Sequence, residues 1–432
     1  MNWYIAPVAD GAARSLFPQR LGMDAKLSLG EPRCLISRQA ILHNAALIRR
    51  TVGQDVKICA VIKADGYGHG AEIVADALCN FSIDELEGPL VDYLAVADLD
   101  KAASLPEMPL PLLVLRPVEN VFLGRQRARL EAAVRGGWTL TVCSLAAADD
   151  LTRIAVACET RANVQIKLDT GMTRAGTSLP DFEALLTKIL SQPALRLVGL
   201  YTHFACGEIP DHPFTSQQLA RFIQATALCP RGGRLIRHAA NSGAMFCMPE
   251  TRLDMVRPGI SLYGIDPLCR PCLDRPLRPV MKWTAPLVGI RSVPAGVSVG
   301  YGQSFTSPTP MRLGLVPVGY ADGYLRQFSN RAQTIVQARP ASVVGRVSMD
   351  FLTIDLTDIP HATIGDEVTL LDDDPLSPAS AYKLAELADT IPYEICCRVG
   401  PRVRRIVVDP ADRPVRPIAP DHEPTPEARS EE

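Results

Sequence analysis

Residues 56–71 read VKICAVIKADGYGHGA, and the fold is decided by how this stretch begins and ends. An apolar run without polar alternation predicts a strand buried on both faces, as in a parallel sheet. It stops at Lys63 and a turn carrying Gly68 and Gly70. Further runs of the same texture follow: DYLAVAD, LLVLRP, TLTVCS, VQIKLD, LVGLYTHF, LIRHAA and MVRPGISLYG. Helical stretches such as DLTRIAVACET and DFEALLTKILSQ lie between them, with apolar residues at three-to-four spacing. This alternation, from Cys34 to Leu277, predicts an α/β unit folded as a (β/α)8 TIM-like barrel. A doubly wound open sheet is the alternative, but no GxGxxG follows the first strand. Barrel active sites are built at the carboxyl ends of the strands, which puts Lys63 on the working rim.

From about Pro279 the texture changes. TAPLVGIRSV, RLGLVPVGY, QTIVQA, ASVVGRV, FLTIDL, EVTLL and YEICCRVGPRVRRIVV are short, β-branched and separated by Gly, Pro or Asp. They predict a C-terminal, mainly β domain over 278–408, interrupted by one helix around Ala379–Ala388. Residues 1–33 read as an irregular N-terminal extension, within which Met23 offers a candidate alternative start. From Asp409 onward, Pro and acidic residues dominate and cannot bury a core, which predicts a disordered tail over 409–432.

A chain of 432 residues suits two such domains. Its formal net charge of −2 provides no basic field for nucleic acid or an anionic membrane, so a small-molecule partner is expected. No stretch is apolar for long enough to span a bilayer. The first residues lack the unbroken apolar core of an export signal, and the 12 cysteines read as reduced thiols of a cytoplasmic protein. Cys269 and Cys272 have zinc-knuckle spacing, but no second Cys or His pair follows closely, so no metal is expected.

Several strand ends carry chemistry. A lysine such as Lys63 can form a Schiff base with an aldehyde if its surroundings lower its pKa, and Tyr67 with its neighbouring glycines can approach a phosphate. A solvated lysine before a Gly-rich turn is the plain alternative. The fifth run gives KLDTGMTRAG, whose Lys167, Asp169 and Arg174 are hard to bury unless paired; a surface charge cluster is the other reading. His203 ends the sixth, where a histidine is more often structural. HAANSGA places Asn241 and Ser242 before a helix start, either as a phosphate site or as a simple cap. RPGISLYG brings Arg257 and Gly259 to the same rim, where phosphate sites after the last two strands are common. In the β domain, Gly300 and Gly302 flank Tyr301 on a tight, exposed turn. Most such turns are only turns; a phenolic base is the sharper reading.

Taken together these segments resemble the alanine racemases, fold type III enzymes that use pyridoxal 5'-phosphate. The resemblance runs from about Arg33 to Val408 and rests on an ordered set of individually weak motifs. It implies a barrel followed by a β domain, and a head-to-tail homodimer with shared active sites. It makes Lys63 the lysine that binds the cofactor covalently and Tyr301 the second base, offered by the partner subunit. His203 and Arg257 become the pair linking that tyrosine to the pyridine nitrogen. Arg174 would lie near the phenolic oxygen and the substrate carboxylate, held by a carbamylated Lys167. Tyr67, Ser242, Gly259, Ile260 and Tyr393 match phosphate binders, with Asn241 beside them. Met349 in GRVSMD would offer its backbone N–H to the substrate. The sequence departs from the commonest wording at Asp65-Gly66 and Pro401, neither of which carries a chemical role.

The implied reaction interconverts L- and D-alanine, supplying D-alanine for peptidoglycan. Lys63 would serve one face of Cα and Tyr301 the other. A free tyrosine has a pKa of about 10, so the Arg257–His203 link would have to favour phenolate. Arg257 would also keep the pyridine nitrogen unprotonated, because a guanidinium does not give up its proton. Serine or broad-specificity racemases share these motifs. Decarboxylases of the same fold place glutamate where Arg257 stands, and non-catalytic cofactor carriers lack the β domain.

Overall fold

In the computed structural model, which describes residues 31–82, 88–118, 125–230, 235–272, 274–409 and 416–417, eight parallel strands close into a barrel. Taken in chain order they are Lys57–Val61, Tyr93–Val96, Leu112–Pro117, Thr139–Val142, Ala162–Lys167, Leu195–Tyr201, Ile236–Asn241 and Met255–Arg257. Each pairs with its sequence neighbour, and the last pairs with the first through Met255 against Lys57. The expected runs become these strands because both faces are covered. Ile58, Cys59, Ala60 and Val61 are all buried, as is the whole of Thr139–Val142. Helices Leu145–Ala157 and Leu179–Leu190 pack outside, each begun by a serine whose hydroxyl accepts a first-turn N–H.

The second unit is built on a six-stranded sheet ordered Arg339–Ser342, Gln333–Val336, Glu367–Leu371, Met281–Pro286, Arg33–Ser37, Arg404–Val408. A three-stranded sheet of Gly289–Val293, Met311–Val316 and Leu352–Asp355 lies beside it. Two expectations need correction. The segment from Cys34, read as the start of the barrel, is a strand of this second sheet, antiparallel to Met281–Pro286 and parallel to Arg404–Val408. Its partners lie far along the chain, so no local pattern announces them. YEICCR, read as β, belongs to the helix Pro392–Arg398. Proline at its first turn and the Glu394–Arg398 pair, 2.6 Å apart one turn on, favour helix there. The expected helix near Ala379–Ala388 runs Ala381–Ala388.

Residues 1–30 and most of the tail lie outside the described residues, and with them the expectations for the extension and for disorder. Within the tail, Arg416–Pro417 pairs antiparallel with Phe81–Ser82, and Asp409 accepts from Arg38 at 2.6 Å. Among the described residues no helix is long and apolar enough to cross a membrane.

One side chain ties the first helix to the passage between the two units. Asn44, on helix Arg38–Val52, is fully buried. Its amide donates to Leu262 O at 3.1 Å and Arg278 O at 2.8 Å, and its oxygen accepts from Arg278 N at 2.8 Å. Truncation would leave three backbone groups without partners. Asn44→Ala is therefore expected to lower unfolding stability by roughly 2–4 kcal/mol, read from the denaturant midpoint. An unchanged midpoint would show that the bridge contributes nothing net.

Candidate active site

Strand ends determine what faces the barrel mouth. Lys63 follows the first strand, Lys167 ends the fifth, Asn241 the seventh and Arg257 the eighth, while His203 lies just past the sixth. With Tyr67, Arg174, Ser242, Gly259, Ile260 and Tyr393, these residues line a single cavity of about 950 Å³. Tyr393, Thr390, Ile391, Glu394 and Cys397 reach it from the second unit. Tyr301 and Met349 do not line it.

The turn after Lys63 is unusual. Ala64, Asp65, Gly66 and Tyr67 all have φ between 53° and 60°, so the backbone makes a left-handed helical turn. Its bonds run Gly66 N to Ile62 O and Gly68 N to Ala64 O, both 3.0 Å. Left-handed geometry costs about 1–2 kcal/mol for each non-glycine residue, and such strain persists only where surroundings over-determine it. Here Asp65 accepts from Ala71 N at 3.0 Å, and Arg405 donates to Gly68 O at 3.0 Å. A Cβ on Gly68 would stand 2.2 Å from Cys396 O, so the second unit presses directly on the turn. The turn delivers Tyr67 across the cavity to Gly259, where a Cβ would lie 2.3 Å from the phenol oxygen.

Arg257 sits at the base, buried. Its Nη2 donates to Thr202 O at 2.7 Å and Ala239 O at 2.9 Å, and lies 3.3 Å from His203 Nδ1. Its Nη1 lies 2.8 Å from His238 Nδ1. Among the described residues no carboxylate pairs with it. Burial lowers its pKa to about 10, which leaves it charged at neutral pH. Arginine has only donors, so His238 must present a bare Nδ1 and carry its proton on Nε2; His203 Nδ1, facing an Nη2 whose two hydrogens already serve carbonyls, can only share one of them as an acceptor, which favours the same tautomer. Burial and the adjacent guanidinium hold both far below the usual histidine range, hence neutral.

The lysines are driven the same way. Burial lowers Lys63, and Arg174 and Arg257 lower it further against Cys397. Lys167 is lowered by burial and then by Arg174. Both therefore have more free amine near neutrality than an exposed lysine would. Burial raises Tyr67 and Tyr393, keeping them as neutral phenols that can donate.

The region expected to hold phosphate is organised by Ser242. Its oxygen accepts from Gly259 N at 2.9 Å and from Ser261 Oγ at 3.0 Å. Its own hydroxyl hydrogen remains for a ligand. Asn241 is engaged as the cap of the short helix Ser242–Cys247, accepting from Ala244 N at 2.9 Å. An anion here meets Ser242 and the phenols of Tyr67 and Tyr393. An aldehyde meets the amine of Lys63, and a ring nitrogen needing a donor meets Arg257. The residues fit pyridoxal phosphate.

Tyr301 is 70% exposed on the turn Tyr301–Gln303, and Met349 is 54% exposed. Tyr320 and Phe351 are also exposed, and backbone bonds join both to Ser348 beside Met349. The surface is stiff: Tyr320 N and Ala321 N donate to Ser348 O and Met349 O, at 3.0 and 3.1 Å. Arg402 bridges Asp322 and Asp350, at 2.8 and 2.7 Å. The sequence reading missed His238, Gln165, Tyr201 and Cys397. Gln165 could have been found, because it lies two residues before Lys167 and so shares its face of the strand. His238 stood within HAANSGA, between Arg237 and Ala239, where nothing local marked it as a partner of the site.

Comparison with known proteins agrees with this geometry. The alanine racemase N-terminal domain matches residues 36–267, and the alanine racemase C-terminal domain matches 280–407. The alanine racemase of Desulfovibrio desulfuricans is 38% identical over 378 residues, covering 87% of this chain and 97% of its own. That of Chlorobaculum tepidum is 37% identical over 376 residues, covering 87% and 94%. Among solved structures, the enzyme from Streptomyces coelicolor superposes with a TM-score of 0.78 at 34% identity, over 89% of this chain and 99% of that one. The biosynthetic enzyme from Pseudomonas aeruginosa gives 0.76 at 33%, over 88% and 99%. The chain belongs to the alanine racemase family of pyridoxal-phosphate-dependent isomerases.

Proposed function

We propose that the protein interconverts L- and D-alanine by a two-base mechanism in a cavity completed by a second copy of the chain, and so supplies D-alanine for peptidoglycan in the cytoplasm. The observation that carries this reading is a split: Lys63, His203 and Arg257 share one cavity, while Tyr301 projects from the same chain into solvent. An aromatic platform held this firmly and left uncovered suits another protomer's cavity. None of the twelve cysteines, all within the described residues, is joined in a disulfide, which suits a reducing compartment.

Pyridoxal phosphate, when bound, supplies the electron sink that lets a Cα proton leave. Lys63 would hold it covalently; its lowered pKa makes the amine available to do so. Once displaced by the substrate amine, Lys63 would take or return the proton on the D face. Tyr301 of the partner subunit would do the same on the L face. His203 prepares that phenol. Its Nδ1 faces Arg257, so its Nε2–H is free to donate to a phenolate oxygen and favour the ionised form. Tyr67, Ser242, Tyr393 and the segment Gly259–Ile260 would hold phosphate beside Asn241. Arg257, charged and donor-only, would keep the pyridine nitrogen unprotonated and restrain side reactions. Arg174 would take the substrate carboxylate, helped by the backbone N–H of Met349 of the partner subunit.

Lys167 and Arg174 would repel if both were charged. A lowered pKa gives Lys167 the free amine that adds carbon dioxide, and the carbamate formed, with release of a proton, would attract Arg174. Incubation with ¹³C-bicarbonate should give a protein-bound carbamate resonance that Lys167→Met lacks. Identical spectra from the two proteins would remove the modification from the scheme.

Lys63→Ala should lose the visible absorbance of covalently held cofactor and at least about 10³-fold in activity. Tyr301→Phe should retain the absorbance and lose roughly 10²–10⁴-fold. Mixed and reassociated, the two inactive variants should regain activity, because one site of the mixed dimer is then intact. A mixture that stays dead would place both bases on one chain.

The enantiomers have equal energy, so kcat/KM must fall equally in both directions for any variant. The asymmetry appears in exchange instead. In deuterium oxide, Tyr301→Phe should exchange the α-proton of D-alanine, through Lys63, but not that of L-alanine. Equal exchange from both would count against separate bases.

A further inference from the structure

Arg257 approaches its cavity through a chain of side chains that crosses the barrel interior, and every member is buried. Thr141, on the fourth strand, donates to Val114 O at 2.7 Å. Gln165, on the fifth, donates from Nε2 to Thr141 Oγ1 at 3.2 Å. Gln165 Oε1 lies 2.9 Å from His238 Nε2 on the seventh strand, and His238 Nδ1 lies 2.8 Å from Arg257 Nη1 on the eighth. His238 also stacks on Tyr201 of the sixth strand, with ring centroids 5.0 Å apart and planes 7° from parallel.

The direction of every bond follows from its ends. A carbonyl oxygen can only accept, so Thr141 gives its single hydrogen to Val114. Thr141 Oγ1 can then only accept from Gln165, which fixes the amide with its NH₂ toward Thr141. Tyr201 does not disturb this, since its hydroxyl lies 3.2 Å from Thr141 Oγ1 but donates to Leu115 O at 3.0 Å. Gln165 must therefore present its oxygen to His238, and His238 must carry its proton on Nε2. The bare Nδ1 is then the only partner Arg257 could use. Turning the amide over would break the run at each joint: oxygen would face a hydroxyl oxygen with no hydrogen to give, and His238 Nδ1–H would meet Arg257 N–H. In a dry interior each such mismatch costs about 1–3 kcal/mol.

We propose that Gln165 is a positioning residue that fixes His238 as its Nε2–H tautomer and through it sets the Arg257 guanidinium at the base of the cavity. Gln165 does not line the cavity, and nothing in the proposed proton transfers uses it. Its effect reaches the reaction because a guanidinium gripped on Nη1 by His238 and on Nη2 by two carbonyls has a single orientation. That orientation decides which of its remaining N–H bonds faces a bound ring. The importance of this orientation for rate rests on Arg257 serving the pyridine nitrogen. The tautomer itself does not, so the two ideas fail separately.

Long-range ¹H–¹⁵N correlation of ¹⁵N-histidine-labelled holoenzyme reads the tautomer directly, with His238→Asn identifying the signal. The unaltered protein should show His238 protonated on Nε2 alone. Gln165→Met, of similar length but with no acceptor, should show a mixture of tautomers. It should also lower kcat about 10–100-fold with little change in KM, and shift the cofactor absorbance. Gln165→Glu, which still offers oxygen to Nε2–H, should recover the single tautomer and most of the rate. An Nδ1–H signal in the unaltered protein overturns the proposal outright, whether or not any variant folds. A Gln165→Met protein with one tautomer and normal kcat overturns it as well. A mixed tautomer with normal kcat would leave Gln165 controlling His238 and would overturn the link to Arg257.

Discussion

A buried cation with no counter-ion among the described residues governs this site. Removing a charge from water costs several kcal/mol even after relaxation, and among the described residues Arg257 meets that cost with neutral acceptors: two backbone carbonyls and two imidazole nitrogens. The consequence spreads outward. An unneutralised positive charge pushes every nearby base toward its unprotonated form. His203 and His238 are held neutral, and Lys63 and Lys167 fall below the ordinary lysine value. Burial is the larger cause in each case, and the guanidiniums of Arg257 and Arg174 add to it. A carboxylate beside Arg257 would have cancelled this field and allowed the histidines to charge. The site is thus built to hold nitrogen bases uncharged, the condition under which amines form bonds and accept protons.

The second constraint is mechanical. The left-handed turn Ala64–Tyr67 would not persist on an isolated barrel, because three of its residues are not glycine. It is held from the other unit, by the backbone of Cys396 closing over Gly68 and by Arg405 on Gly68 O. The strand carrying Arg405 pairs with Arg33–Ser37, which runs straight into the first helix beside the barrel. Barrel and sheet are therefore interlaced, and the position of Lys63 depends on both. This gives a physical reason for the second unit beyond the residues it adds to the cavity wall.

How much of this was legible depends on how local its cause is. The barrel strands could be read because burial on both faces leaves an unbroken apolar run. The cavity residues could be read where a charge interrupts such a run at its end, as at Lys63, Lys167 and Arg257. Strand Arg33–Ser37 could not, since its partners are contributed by the far end of the chain. YEICCR misled because isoleucine and cysteine suit either structure, and the deciding proline stands before the motif rather than in it. Gln165 and His238 escaped for the opposite reason from Lys63: they are polar residues in mid-strand, not charges that end an apolar run. Only the closing of the barrel, which sets strand five near strand seven, gives them partners.

The location of Tyr301 follows from the same geometry. A carbon bound at the mouth of a barrel presents one face to the rim and the other outward. This chain's own second unit approaches the cavity with Thr390, Ile391, Tyr393, Glu394 and Cys397. Of these the only aromatic hydroxyl, Tyr393, is part-buried and driven by desolvation toward the protonated form, so it suits donation to an anion and not proton abstraction. The rim supplies amines at Lys63 and Lys167, and on the proposed reading Lys167 is taken up as a carbamate, which leaves Lys63 as the base on one side. A base for the outer face must come from a surface that can descend onto the mouth. On the proposed reading that surface is the platform of Tyr301, Tyr320, Met349 and Phe351, held by Arg402 between Asp322 and Asp350, none of which lines its own chain's cavity. On that reading dimerisation would do more than stabilise the protein: it would make the two faces of one carbon chemically different.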